Sequence, residues 1–242
     1  MAALSMANQN ALIGMDTERL FKNSIGNQVT VLNTLKEHFG IKGDYAKSFS
    51  TGTDAGKSDV MVRFTDATLS ANIKAYKTGF NQLTRTTISL FCNEFNIFHL
   101  RGVFEEGAVR VASKKGRFIL PSDEARVIET IAPLAKDIVH FSLARKENPE
   151  LLVLYNRTIN MMFLYDMKGL LDNLNYSVSI SSRGVIRIGQ FITIQRKGGN
   201  GVHSLHIPKT SLAHPGNNLQ VKMKVGAFVL ATPAIVTFSP KI

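Results

Sequence analysis

The chain has 242 residues, of which 44% are hydrophobic, and it carries a formal net charge of +11. This length can hold one large folded domain with a sizeable core, which excludes a disordered chain. No apolar run approaches the roughly 20 residues that span a bilayer, and the first residues do not have the basic and apolar pattern of a signal peptide. The single Cys92 cannot form an internal disulfide and lies in an apolar run. We therefore predict a cytoplasmic protein with Cys92 in its core.

The positive charge is concentrated towards the end of the chain. Residues 173–242 contain eight basic residues and no acidic residue. Such a segment favours a polyanionic partner, most simply the phosphates of nucleic acid. A basic surface without a specific partner, or contact with an anionic membrane, is the alternative, because net charge alone does not identify a partner.

The first predicted element is an amphipathic helix. Thr17 is a good N-cap and Gly40 ends the helical pattern, while Gly26 interrupts or weakens it. Glu18 and Glu37 lie on this helix. Either glutamate could face a polar site, although solvated glutamates are commoner.

Two strands joined by a polar turn follow, at residues 59–64 and 69–76. Their alternating pattern places Leu69, Ala71 and Ile73 on an apolar face. Asp59, Asn72 and Lys74 then share the opposite, polar face. If the strands pair, these three side chains can form a metal and water site beside a small core.

Further elements follow the hairpin. A helix is predicted from about Thr86, with its start suited to phosphate contacts, and the apolar side chains assigned to its core are Leu90, Phe91, Phe95 and Phe98. A second helix begins at Pro121 and is kinked at Pro133. Residues 151–165 predict a hairpin and residues 166–174 a short helix.

The basic C-terminal part is predicted to be rich in strands. Strands at 186–195 and 219–225 flank a long loop, and the composition of residues 225–238 also suits strands better than a membrane segment. Gly198 and Gly199 in the loop would let the backbone approach a phosphate closely. An arginine there could instead read guanine through two hydrogen bonds.

The hairpin resembles the catalytic core of the PD-(D/E)XK nucleases, and most of all the type II restriction endonucleases. The resemblance rests on Ser58-Asp59-Val60 leading into an apolar strand and on Asn72-Ile73-Lys74 in the next strand. Asp59 matches the family's first Asp, Asn72 its variable acidic position and Lys74 its lysine. Ser58 stands where the family has Pro, and Asn72 indicates the subgroup with Asn in place of the second acid.

This resemblance implies a catalytic hairpin of Asp59, Asn72 and Lys74 that works with Mg²⁺. The metal ligands would be Asp59, Asn72 and the main-chain carbonyl of Ile73, and the missing acid favours a single metal. Lys74 would orient a water molecule and stabilise charge on the phosphate.

The predicted partner is double-stranded DNA, with a cognate DNA methyltransferase as a genetic rather than physical partner. The protein could act as a monomer or a homodimer. The predicted DNA-binding residues are Lys57, Arg63, Lys77, Gln82, Thr84, Arg85, Arg183, Gln195, Arg196, Lys197, Asn217, Asn218, Gln220 and Lys222.

We therefore predict an α/β protein with a central mixed β-sheet flanked by helices, as in restriction endonucleases, and a basic, β-rich C-terminal part. The whole chain, 1–242, would be one nuclease domain, with the helices and catalytic hairpin at about 15–145 and the DNA-contacting part at about 150–242. The predicted function is site-specific hydrolysis of duplex DNA with Mg²⁺. The alternatives are a non-catalytic nucleic-acid-binding protein with a nuclease-like fold and a structure-specific repair nuclease.

Overall fold

The computed structural model describes residues 6–51, 59–77, 79–144, 149–199 and 206–241. The chain forms two compact units. Unit 1 comprises Met1–Asn81, Leu143–Asn173 and Val225–Ile242, and unit 2 comprises Gln82–Ser142 and Leu174–Lys224. The assignment of 1–242 to one nuclease domain stays a prediction.

A six-stranded mixed sheet forms the centre of unit 1. Its order is β1-β2-β3-β5-β6-β11, with β3 and β5 parallel and the other neighbours antiparallel. A five-stranded sheet of order β4-β10-β9-β8-β7 forms the second sheet. The strands are β1 Tyr45–Ser50, β2 Val60–Phe64, β3 Thr68–Tyr76, β4 Asn81–Thr86, β5 Leu151–Asn156, β6 Met161–Asp166, β7 Val178–Ile180, β8 Ile186–Ile188, β9 Ile192–Arg196, β10 Leu219–Met223 and β11 Val236–Phe238.

Helices accompany both sheets. They are α1 Met6–Ile25, α2 Val29–Phe39, α3 Ile88–Glu94, α4 Arg101–Ala112, α5 Glu124–Ile131, α6 Ala135–Leu143, α7 Met167–Asn173 and α8 Val225–Ala231. In unit 1, α1 packs against β1, β2 and β3. Among the described residues, no helix is both long and apolar enough to cross a membrane.

The predicted catalytic hairpin is present as β2 and β3, which pair antiparallel. Its apolar face is buried in the core of unit 1, as the alternation predicted. That face meets buried side chains of α1 and α2, so both helices cover the same side of the sheet; the core includes Phe21, Ile25, Leu35, Val60, Val62, Phe64, Leu69, Ala71 and Ile73. Burial of this face determines which side chains remain on the other.

The N-terminal helix differs from the prediction. Thr17 is not an N-cap: it lies inside α1, where its hydroxyl donates to the carbonyl of Ile13 at 2.7 Å. The first helix ends at Ile25, directly before Gly26, so that α1 and α2 are separate helices. Gly40 ends α2 in the left-handed region at φ 66°, as predicted.

Several predictions for later elements are wrong. The helix predicted from about Thr86 is α3, but Gln82, Thr84 and Arg85, which were expected to contact phosphates at its start, lie on strand β4. Leu90 and Phe98, expected in the core, are exposed. The strand predicted at 186–195 is a hairpin of β8 and β9 that turns at Gly189, where φ is +55°. The first half of the apolar segment 225–238 is helix α8, and only its last three residues form a strand, β11. Short apolar runs carry no clear period, so tertiary contacts decide their state.

Other predictions are confirmed. Strands β5 and β6 form the expected antiparallel hairpin, and a single 3₁₀ turn over Ala132–Leu134 produces the interruption expected at Pro133. Cys92 is buried, and burial raises the pKa of its thiol to about 11, so that the thiolate is disfavoured.

Two glycines of α4 provide a test of packing in unit 2. A Cβ at Gly107 would lie 2.2 Å from the carbonyl oxygen of Phe118, whereas a Cβ at Gly102 meets nothing within 4 Å. We expect Gly107→Ala to lower the free energy of unfolding by roughly 1–3 kcal/mol through overpacking. Gly102→Ala should raise it by up to about 1 kcal/mol. Urea denaturation of both variants checks this; equal effects would contradict the packing described.

Candidate active site and nucleic-acid interface

Asp59 lies where the pairing of β2 with β3 ends. Val60 pairs with Ala71, and continuing this register by one residue places Asp59 opposite Asn72. The Asp59 amide donates to the carbonyl of Ala71 at 2.8 Å. The amide of Ile73 in turn donates to Oδ2 of Asp59 at 2.6 Å. The carboxylate is thus held against β3 by a main-chain donor.

Lys74 brings a positive charge to the same place. Its Nζ donates to the carbonyl of Ile73 at 3.0 Å and lies 3.5 Å from Oδ2 of Asp59. About a fifth of each of the two charged side chains is exposed, so solvent reaches the site. Two oxygens that were predicted to hold a metal therefore converge on one cationic nitrogen. They are close enough to share a cation, and in this respect the residues fit a divalent metal.

The side chain of Asn72, on the same face of β3 as Lys74, is fully buried. Its Nδ2 donates to the carbonyl of Leu143 at 2.5 Å. Its Oδ1 is buried and has no hydrogen-bond partner among the described residues. A buried acceptor without a partner is costly, and an amide oxygen is a ligand that hard cations accept. This unpartnered oxygen is a second feature that fits a metal.

The carbonyl of Leu143 also accounts for an amide at position 72. A carboxylate there would place an acceptor against an acceptor and would carry an uncompensated charge into a fully buried position. The presence of an amide at position 72 thus has a local structural reason.

Of the two glutamates on the N-terminal helices, Glu18 interacts electrostatically with the site. Burial and the negative charge of Asp59 raise the pKa of Glu18, while Lys74 acts in the opposite direction. Glu37 is exposed on α2. The helical pattern of the sequence placed both glutamates on the helix. It could not show which of them lies near the charged residues of the sheet.

Glu150 was missed by the sequence analysis. Both the amide and the hydroxyl of Ser70 donate to its Oε2, at 2.7 and 2.5 Å. Ser70 shares the polar face of β3 with Asn72 and Lys74, so Glu150 closes one end of this face. No group of three or more His, Cys, Asp or Glu side chains arranged for a metal occurs in the described part of the chain. The site is therefore poor in carboxylates.

The predicted DNA contacts of unit 1 are less closely grouped. Arg63 is exposed and pairs with Thr68 at the turn end of the hairpin, away from Asp59. Lys77 is exposed one residue beyond the end of β3. Lys57, together with Ser58, lies outside the described residues.

The hairpin of β9 and β10 divides the predicted contacts of unit 2 between two faces. Gln195 pairs with Gln220 and Thr193 with Lys222, so these four side chains share one face. Arg196 pairs with Leu219 and belongs to the other face. Sequence neighbours in this strand therefore do not face the same way.

Exposure separates these residues further. Thr84, Asn217 and Gln220 are buried, at 7%, 2% and 3% exposure, so their side chains face the protein. Gln82, Arg85 and Arg183 are exposed, and those partly exposed are Gln195, Arg196, Lys197, Asn218 and Lys222. The predicted interface thus consists of exposed cations and amides with a buried polar layer behind them.

Asn72→Asp tests the explanation of the amide. We expect this variant to lower the free energy of unfolding by roughly 1–3 kcal/mol, because it removes the donor to Leu143 and buries a charge. Asn23→Asp, at an exposed position of α1, should change it by less than about 0.5 kcal/mol. Denaturation in the presence of EDTA checks both. Equal stability of the Asn72→Asp variant and the native protein would show that the Leu143 contact does not select an amide.

Glu18 should make stability depend on pH. Because its pKa is raised in the folded protein above the ordinary value of 4.5, the folded state binds more protons than the unfolded state from about that pH upward. Stability should therefore fall as the pH rises from this value through the folded pKa. Glu18→Gln should remove that fall, while Glu37→Gln should keep it. Melting temperatures of both variants, measured across this pH range in EDTA, test this expectation. The same dependence of stability on pH in both variants would refute the electrostatic interaction of Glu18 with the site.

Comparison with known proteins bears on the fold. No family model matches this sequence, and no curated protein matches it. Among solved structures, the chain is similar to the crystal structure of the restriction endonuclease MspI in complex with its cognate DNA. The TM-score is 0.50 at 11% sequence identity, and the match covers 81% of this chain and 78% of that chain. The mixed six-stranded sheet flanked by helices therefore has the restriction-endonuclease-like fold.

Proposed function

We propose that the protein is a Mg²⁺-dependent type II restriction endonuclease of the PD-(D/E)XK superfamily, with Asn in place of the second acid. Its substrate would be duplex DNA with a short specific sequence. The observation that carries the proposal is the convergence of Asp59 and the Ile73 carbonyl on Lys74, at 3.5 and 3.0 Å. This arrangement lies on two strands of a sheet that has the restriction-endonuclease-like fold.

Mg²⁺ would be held by Asp59, the carbonyl of Ile73 and Oδ1 of Asn72. When bound, it would polarise the scissile phosphate and lower the pKa of a coordinated water. Asn72 contributes an oxygen but no charge. Glu18, whose charge already acts on Asp59, would supply the negative charge that the usual second acid provides.

The chain's own groups would act through position and charge. The Ile73 amide fixes the Asp59 carboxylate against β3, so little reorganisation is needed before reaction. Lys74 would orient the attacking water and stabilise the charge that grows on the phosphate. Hydrolysis would leave a 5′-phosphate and a 3′-hydroxyl.

Unit 2 would supply most of the DNA contacts. Its exposed cations suit phosphates, which set position, while exposed amides and arginine forks can read base edges. From unit 1, Arg63, Lys77 and Lys57 would contact neighbouring phosphates. Such an enzyme would act in the cytoplasm, where a cognate methyltransferase would protect the host DNA.

One observation favours a second candidate, a non-catalytic DNA-binding protein. The described part of the chain contains no cluster of three potential metal-binding acids or histidines, and Asn72 carries no charge. A protein that had lost metal binding could keep the fold and the basic surface. Cleavage distinguishes the two candidates.

Plasmid DNA incubated with and without Mg²⁺ tests the proposed activity. We expect discrete, Mg²⁺-dependent fragments from the native protein. Asp59→Ala and Lys74→Ala should each reduce the rate on the order of 10²–10³-fold or more, because each removes charge at the reacting centre. Asp16→Ala, which removes an exposed carboxylate of α1, should leave the rate unchanged. DNA binding by the two inactive variants, measured in EDTA, should persist.

The other outcomes are equally informative. Full activity of either the Asp59 or the Lys74 variant would refute the assigned site. Intact but shifted DNA would identify a binding protein, and cutting confined to forks or ends would identify a structure-specific nuclease. Sequencing of fragment ends would give the recognition sequence and the cut position.

A further inference from the structure

The guanidinium of Arg196 is held in position by the buried side-chain amide of Asn217. Its Nε donates to Oδ1 of Asn217 at 2.7 Å. Nδ2 of Asn217 donates to the carbonyls of Lys209 and Ser211, at 2.8 and 2.6 Å. Asn217 is 2% exposed, and both of its amide hydrogens are used within the protein. Asn217 therefore fixes the direction of the Arg196 side chain and cannot contact a ligand itself.

The main chain of Lys197 is fixed in the same region. Its amide donates to the carbonyl of Asn218 at 2.7 Å, and its carbonyl accepts from Nε2 of Gln220 at 3.2 Å. Gln220 is also buried. Two buried amides thus support two consecutive cationic residues where β9 ends.

These cations have no anionic partner within the described residues. Arg85 lies on β4, separated from β9 by β10 in the sheet. Burial lowers the pKa of Arg196, and burial followed by the charges of Arg85 and Arg196 lowers the pKa of Lys197. None of the three forms a salt bridge in the described part of the chain. Arg196 and Lys197 are partly buried, which is unfavourable for cations without an acidic partner, and an anion would relieve this.

The two glycines that follow place no side chain against the end of the guanidinium. Gly198 and Gly199 have φ values of +70° and +71°. A Cβ at Gly198 would lie 3.7 Å from Nη1 of Arg196, and a Cβ at Gly199 would meet nothing within 4 Å. Since Nε is already bonded, the free end of the fork consists of the two terminal nitrogens. Two parallel donors match the oxygens of a phosphate.

We propose that Arg196, next to Lys197, forms a subsite for a backbone phosphate of duplex DNA, with Asn217 as the positioning residue for Arg196. The subsite rests on the proposed function only in the choice of DNA as the source of the phosphate. Under this proposal, the predicted DNA contacts of unit 2 are of two kinds: cations that bind the phosphate and buried amides that position them. Base reading by Arg196 is the competing role.

Salt dependence distinguishes a phosphate contact from a base contact. Binding is measured in EDTA, which prevents Mg²⁺-dependent cutting, with two duplexes of equal length and unrelated sequence, between about 50 and 200 mM salt. Arg196→Ala should weaken binding to both duplexes equally and reduce the slope of log affinity against log salt by about 0.9. Arg196→Lys should keep most of the slope, and Lys115→Ala, an exposed cation of unit 2, should leave it unchanged.

A double-mutant cycle tests the role of Asn217. Asn217→Ala should weaken binding without changing any charge. If Asn217 acts through Arg196, the double variant should bind no more weakly than Arg196→Ala alone. Additive losses would show a general structural effect and would overturn the positioning role.

Two results would overturn the phosphate subsite: an unchanged slope in Arg196→Ala, or a loss confined to one duplex, which would indicate base reading. Neither result depends on cleavage. A native protein that cuts DNA while Arg196→Ala keeps its slope would refute the subsite but leave the nuclease. A protein that never cuts but loses slope on this substitution would keep the subsite and refute the nuclease.

Discussion

The hydrogen bond from the Ile73 amide to the Asp59 carboxylate is the interaction on which the candidate site depends. The ladder between β2 and β3 ends beside it, and the side chain of Asp59 takes the next main-chain donor of β3. This holds a negative charge next to Lys74. Because β3 pairs with β5 from Ala71 to Tyr76, Lys74 stands on a strand that is hydrogen-bonded along that edge, and Asp59 is bonded to the same strand. A site on such a strand is preorganised in a way that a loop site is not.

The site contains few charges, and their surroundings differ. Asn72 is an amide because the carbonyl of Leu143 needs a donor. Its side-chain oxygen, Oδ1, is left buried and without a partner among the described residues, which is the kind of cost that proteins accept at functional positions. Glu18 reaches the site from a helix that packs on the sheet, and its raised pKa reflects both burial and Asp59. These features reduce stability in the absence of a cation and would favour its binding.

In unit 2, the partly exposed cations Arg196 and Lys197 have no acidic partner among the described residues. Buried amides do this by bonding the parts of Arg196 and Lys197 that do not face solvent. Asn217 and Gln220 look like DNA contacts in the sequence because they lie among basic residues. Their burial shows instead that these amides hydrogen-bond within the protein and support the neighbouring cations.

The sequence by itself determined the hairpin of β2 and β3 and its polar face. An alternation of period two, bounded by polar turns, assigns Asp59, Asn72 and Lys74 to one face wherever the strands lie, because it depends only on strand geometry and on burial of the other face. Only the tertiary structure decided that Glu18 interacts electrostatically with Asp59, that residues 82–85 form a strand, that Glu150 closes the polar face and that Asn217 is buried. Each of these depends on contacts between segments distant in the chain. Local periodicity indicates that a face is covered, but it carries no information about the segment that covers it.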